Sequence, residues 1–154
     1  MTIAVDFDGT IVEHRYPGIG REKPMAIDTL IRLADDGHKL ILWTAREGQL
    51  LDDALQFCRE RGLSFYAVNS ERPDDTWERS DVARKIVADM YIDDRNLGGL
   101  PDWEDIYRMV SEHISFADMP EYSHRMERAK KKKKKSFLKR LAERCRDARS
   151  KYDR

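Results

Sequence analysis

Cysteine is scarce in this chain of 154 residues. The two present, Cys58 and Cys145, lie 87 positions apart in stretches with helical patterning. Neither belongs to a metal-type spacing, which argues against a disulfide framework or a thiolate metal site. Long apolar runs are missing too. The N-terminal run stops after five residues at Asp6, too short for a signal peptide core or a membrane span. The expected compartment is therefore the cytoplasm. No internal repeat is visible, and no motif that reads DNA or RNA appears.

Charge, by contrast, is plentiful. Charged residues make up 38% of the chain and apolar ones 40%, enough for a core, while the formal net charge is zero. The balance conceals a split. Residues 1–120 carry 14 Lys and Arg against 24 Asp and Glu, and residues 121–154 carry 15 against 5. The sequence thus divides into an acidic domain, 1–120, and a Lys/Arg-rich C-terminal extension, 121–154.

Four strands are expected at residues 3–7, 39–43, 65–68 and 90–92, each ending in polar residues. Helical patterns fill the gaps. Pro24 suits a first helical position, Ile27, Leu30, Ile31 and Leu33 follow, and Gly37 closes the segment. A second helix is expected from about 49 to 61, closed by Gly62, and a third from near Asp102. Alternating strands and helices with short connections predict an α/β fold with a parallel sheet.

The chemistry gathers at the strand ends. Asp6 and Asp8 follow the first strand, Thr44 the second, and Asp93 and Asp94 the fourth. In an open α/β sheet the carboxyl ends of the strands are where ligands bind. Carboxylates crowded there repel one another unless they share a proton or a cation. A calcium loop starting at Asp6 fails, because it places Ile11 where glycine is needed and Pro17 where glutamate is needed. Thr44 also suits a helix N-cap. Lys85 is the sole lysine between Lys39 and the tail.

In this order, Asp6-Phe7-Asp8-Gly9-Thr10, Thr44 within Leu42-Trp43-Thr44-Ala45-Arg46, Lys85, and Asp93-Asp94, the chain resembles the haloacid dehalogenase-like (HAD) superfamily over roughly residues 1–115. The resemblance implies a Rossmannoid three-layer sandwich with a parallel central sheet. It also implies an Mg²⁺-dependent phosphomonoester hydrolase. Asp6 would be the nucleophile, Asp8 the general acid and base, Thr44 a phosphoryl hydrogen-bond donor and Lys85 a neutralising cation. Metal ligands would come from Asp6, the backbone carbonyl of Asp8, Asp93 and Asp94, the last directly or through water. An acid two positions after the nucleophile marks the phosphatases of that superfamily. Thirty-three residues separate Thr10 from Thr44, which leaves no room for a cap domain. Capless members act on large substrates or cover the site with a second copy, so a homo-oligomer is one expectation.

Gly9, Thr10, His14, Arg15, Ala45 and Arg46 are the expected substrate contacts, His14 and Arg15 lying on a flap over residues 13–20. Asn69 and Ser70 lie at the same sheet edge. The substrate is a small phosphorylated molecule whose identity stays open. Six consecutive lysines at 130–135 precede Phe137, Leu138, Leu141, Cys145, Ala148 and Tyr152 at helical spacing. The tail therefore reads as a solvated extension, a contact for nucleic acid or an anionic surface, or an arm docking on an acidic face. A polyanion-binding or adaptor protein with little turnover is the competing function.

Overall fold

The computed structural model describes residues 1–73 and 86–114. The chain divides into two compact units, Met1–Tyr107 and Arg108–Arg154. The first carries a four-stranded, fully parallel sheet. Its strands are β1 (Thr2–Val5), β2 (Lys39–Leu42), β3 (Ala67–Val68) and β4 (Met90–Ile92), in the order β3-β2-β1-β4. Helices α1 (Ala26–Asp35) and α2 (Gly48–Arg59) lie between strands in sequence, and α3 (Trp103–Ser111) follows β4. The class is α/β, and the sheet is compatible with a Rossmann-like fold.

The central strands owe their place to unbroken apolar runs. Ile3, Ala4 and Val5 of β1 and Leu40, Ile41 and Leu42 of β2 are all buried. A strand covered on both faces reads in this way, without alternation. Ala4, Ile41 and Ala67 stand in register across three strands, so they share one face. They form a cluster with Ile86, against which Trp43, Ala88 and Tyr91 pack. Burying each large aliphatic side chain contributes about 1.5–3 kcal/mol.

The ladder outlasts the strand bounds. Trp43 N–H donates to the Val5 carbonyl at 2.8 Å, and Asp6 N–H to that of Ile92 at 3.0 Å. Asp6 is thereby fixed between the ends of β1 and β4. Past it the chain turns sharply. The N–H groups of Thr10, Ile11 and Val12 all point at the Phe7 carbonyl, and Gly9, at φ +95, permits the turn.

Helix α1 begins two residues after the expected Pro24. The Lys23 carbonyl accepts the Ala26 N–H in a turn, and Met25 takes a left-handed conformation at φ 65. Its apolar stripe, Ala26, Ile27, Leu30 and Leu33, is buried. The expected closures at Gly37 and Gly62 are present. For Gly62, at φ +84, the Gly62 N–H meets the Arg59 carbonyl and the Leu63 N–H that of Cys58, both at 3.0 Å. Trp103 and Ile106 of α3 are buried. Tyr107 donates its hydroxyl to Asp36 at 2.8 Å, with the Arg32 guanidinium 3.8 Å from its ring centroid.

In the second unit the described residues are 108–114. Met109 and Val110 are buried, and His113, at φ 53, ends the helix. The lysine run and the rest of the extension lie outside the described residues, as does Lys85. Among the described residues no helix is long and apolar enough to cross a membrane.

Candidate active site

The strand order places the site. From β1 the chain moves to β2 and β3 on one side, then returns to β4 on the other. The reversal falls between β1 and β4, and ligands of open α/β sheets bind at that switch point. Asp6 leaves β1 and Asp93-Asp94 leave β4 there. Carboxylate oxygens of Asp6, Asp93 and Asp94 lie within 4.8 Å of one another.

Thr10 ties the two tips together. It is fully buried; its hydroxyl donates to Asp6 Oδ2 at 3.0 Å and accepts the Asp94 N–H at 3.0 Å. The expected substrate contact is thus a bracket across 84 residues of sequence, its one donor already used. Gly9 is placed equally tightly. A Cβ there would stand 2.4 Å from Asp94 Oδ2, so only glycine lets the Asp94 carboxylate close on the turn. The Gly9 carbonyl accepts a hydrogen bond from Lys23 Nζ.

Among the described residues, charge is poorly balanced around Asp6. Burial pushes its carboxyl up to about 6, with the charges of Asp93 and Asp94 adding to the shift and hydrogen bonds from Thr10 and Phe7 opposing it. Asp94 Oδ1 is buried with no hydrogen-bond partner among the described residues. Asp93 Oδ1 accepts the Arg95 N–H at 2.7 Å.

Asp8, two residues on, has the opposite surroundings. Arg46 Nε donates to its Oδ2 at 2.7 Å and Nη2 to its Oδ1 at 2.8 Å. The remaining N–H groups of this buried guanidinium go to the carbonyls of Pro17 (3.1 Å), Gly18 (2.8 Å) and Leu50 (3.4 Å). Five donors meet five acceptors, so no N–H is left for a ligand. Arg46, expected among the substrate contacts, is committed to Asp8 and the flap. The hydrogen bond to Asp8 is the chief cause that raises its affinity for its proton further. The Asp8 carboxylate, paired with Arg46, is not among the three that meet within 4.8 Å.

Thr44 sits where the β2 end meets the cleft. It does not cap α2, whose N-cap is Glu47 with no side-chain bond. Its Oγ1 accepts the Arg46 N–H at 3.3 Å, and its own N–H donates to Asn69 Oδ1 at 2.8 Å. Asn69, at φ 50, thus holds the tip of β2 from the end of β3.

The cleft has a volume of about 590 Å³. Asp6, Asp8, Asp93, Thr44, Ala45 and Arg46 line it, and so do His14, Tyr16, Trp43 and Arg95. Arg15 is exposed and is not among these residues. Asn69 and Ser70 line a neighbouring groove of about 950 Å³ that shares Trp43, Thr44 and Arg46 with the cleft. Tyr16, Trp43, Lys23 and Arg95 are not among the site residues expected from the sequence, where Arg95 figures only as a structural partner for Asp94. The Arg95 signal was its place directly after the acidic pair; for Lys23 there was no local signal.

No family model matches the sequence, and no curated protein matches it either. A solved structure of the conserved protein coded by a locus from Bacteroides thetaiotaomicron is 57% identical, with a TM-score of 0.73. The match covers 78% of this chain and 97% of that one. At that identity and coverage, the chain belongs to the same family as this conserved Bacteroides thetaiotaomicron protein.

Proposed function

We propose that this protein is a cytoplasmic, Mg²⁺-dependent phosphomonoester hydrolase of the HAD type, capless, working through an aspartyl-phosphate on Asp6. The reading is carried by the meeting of Asp6, Asp93 and Asp94 at the switch point, with Asp8 two residues further on. Three mutually repelling carboxylates are unfavourable for folding and become favourable around a cation.

The residues suit Mg²⁺. The donors are hard carboxylate oxygens, and Asp94 Oδ1 is a buried acceptor with no partner among the described residues. Asp6, Asp93 and Asp94, with the backbone carbonyl of Asp8, would hold the ion, which would supply neutralising charge for the cluster and the phosphoryl group.

The chain's own groups divide the reaction. Thr10 occupies Oδ2 of Asp6, which leaves Oδ1 to attack phosphorus. As the bond to the leaving oxygen breaks, the Asp8 carboxyl gives that oxygen its proton. In the second step Asp8 takes a proton from water, the water oxygen attacks phosphorus, and Asp6 is released with inorganic phosphate. The Thr44 hydroxyl and Lys85 bind phosphoryl oxygens. Sugar phosphates, nucleotides and phosphorylated polysaccharide precursors all fit the chemistry.

The test is phosphate release from a panel of aryl, sugar and nucleoside phosphates, with and without chelator, against Asp6→Asn. Turnover lost in the variant and in chelator is expected. A folded, Mg²⁺-binding protein that turns over none of them would overturn the reading. It would favour polyanion binding through residues 121–154, whose deletion would then remove function.

A further inference from the structure

We infer that Arg46 is the positioning residue for Asp8, and that it ties the aim of the Asp8 carboxyl to the seating of the flap. The inference rests on the phosphatase reading and deepens it. Its basis is the bond inventory of one side chain. The guanidinium is 1% exposed and lies across the Asp8 carboxylate in the bidentate geometry that fixes a carboxylate in both position and plane. Two of its other three N–H groups hold the flap, through the Pro17 and Gly18 carbonyls. The last grips the first turn of α2 at Leu50.

A carboxylate has about four lone-pair sites, and Arg46 takes two. Asp8 lines the cleft. The clamp therefore removes the freedom of the Asp8 carboxyl to turn away while leaving its other lone pairs open. A lone aspartate side chain rotates about two bonds, and a general acid must lie within hydrogen-bond reach of the leaving oxygen. The clamp meets that need from residues 38 positions away in sequence. It also makes the flap part of the acid's support. Residues 12–22 form a hairpin, with Glu13 N–H on the Arg21 carbonyl at 2.7 Å and Val12 bridged to Glu22. If this hairpin shifts, two of the acceptors that orient Arg46 shift with it.

Positioning of an acid leaves a signature that general damage does not. Protonation of the leaving group matters greatly for an alkyl phosphate and little for a nitrophenyl phosphate, whose leaving group departs unaided. The constant kcat/KM covers only the steps up to the first release, where Asp8 acts as acid. The experiment measures kcat/KM for p-nitrophenyl phosphate and for glycerol 2-phosphate with wild type, Arg46→Lys, Asp8→Asn and the double variant.

Lysine keeps the charge and loses the fork. Arg46→Lys is expected to lower kcat/KM about 10²-fold on the alkyl ester and less than about 10-fold on the aryl ester. Asp8→Asn should shift the ratio in the same direction. The double variant should be no worse than Asp8→Asn alone, because both changes remove one unit of function. If Arg46→Lys lowers both substrates equally, or adds fully to Asp8→Asn, the inference is overturned.

Gly20→Ala decides the matter should Arg46→Lys fail to fold. A Cβ at Gly20 would stand 1.8 Å from the Glu13 carbonyl oxygen, so the hairpin must open while Arg46 and Asp8 remain. The same change of ratio, about 3–10-fold, is expected there, and an unchanged ratio overturns the coupling. Wild type that turns over neither ester defeats the phosphatase reading itself; an active wild type with unchanged ratios defeats this inference alone.

Discussion

Asp6 and Asp8 are separated by one residue, yet the fold gives them opposite neighbours. Asp6 faces two further acids and a threonine hydroxyl. Asp8 lies in the fork of a buried arginine. The turn at Gly9 and the reversal of strand order at β1 produce the difference. Asp6 is drawn toward β4 by the ladder bond to Ile92, and Asp8 faces the loop after β2 and the flap. Two like side chains thereby suit the different tasks proposed for them, one to share a cation and attack, the other to be held still and move a proton. In charge terms, among the described residues one side of the cleft lacks a counter-charge and the other is already paired.

The strongest break of that comparison is the loss of the proposed nucleophile. Asp6→Asn is expected to lower phosphate release by about 10³-fold or more while a thermal melt still shows a folded protein. A variant that keeps most of its turnover would show that Asp6 and Asp8 have been assigned the wrong way round.

Next comes the difference in cation response. Mg²⁺ at saturating concentration should raise the melting temperature of wild type by several degrees, since a ligand at 100 times its Kd contributes about 2.7 kcal/mol. Asp93→Asn should lose most of that rise, and Arg46→Lys should keep it, because Arg46 serves only the Asp8 side. Equal loss in both variants would mean that the two sides are one network. Calorimetric titration with Mg²⁺ alone reads the same contrast without any substrate.

Gly9→Ala tests how tightly the turn is packed between the two sides. The added Cβ meets Asp94 Oδ2 at 2.4 Å and sits at φ +95. A cost of about 1–3 kcal/mol in stability is expected, together with weaker Mg²⁺ binding. Urea unfolding gives the first number and titration the second.

The smallest expected effect lies away from both carboxylates. Cys58 is fully buried, and burial pushes its thiol up to about 12, with the charge of Glu22 adding to the shift and those of Arg61 and Arg59 opposing it. Iodoacetamide at pH 9 should leave Cys58 unmodified in the folded protein and alkylate it in urea, as peptide mass spectrometry would show. The sign for stability follows. The folded thiol holds its proton to a higher pH than the unfolded one, so this contribution is complete below about pH 9 and declines as pH rises toward 12. Labelling of native Cys58 at the rate of the unfolded chain would contradict its place in the core.

Much of the scaffold was legible because its signals are local. The apolar runs of β1 and β2, the stripe of α1 and the closures at Gly37 and Gly62 depend on neighbours within a few residues. Element ends were less legible. Met25 and the turn at Lys23 displaced the start of α1, and β3 shortened to Ala67–Val68. Those limits depend on which backbone groups find partners elsewhere, such as Tyr66 N–H on the Leu40 carbonyl at 2.8 Å. In the site, the acids at the strand ends were legible, whereas the partners of Thr10 and Arg46 were not. Both looked like ligand contacts, since each is a polar residue within a motif. Both are spent on the protein itself.

By itself the sequence determined that acids stand at the ends of apolar strands, in a fixed order along an α/β chain. Periodicity and turn chemistry suffice for that, because they act over one strand or one helical turn. Only the tertiary structure decided which acid meets which partner. Asp94 reaches Thr10 across 84 residues, and Arg46 reaches Asp8 across 38. The physical reason is the strand order. The reversal at β1 brings the ends of β1 and β4 side by side, and the loop after β2 then closes over Asp8. A buried guanidinium must satisfy every N–H it carries, and the acceptors available to it are set by where those loops meet.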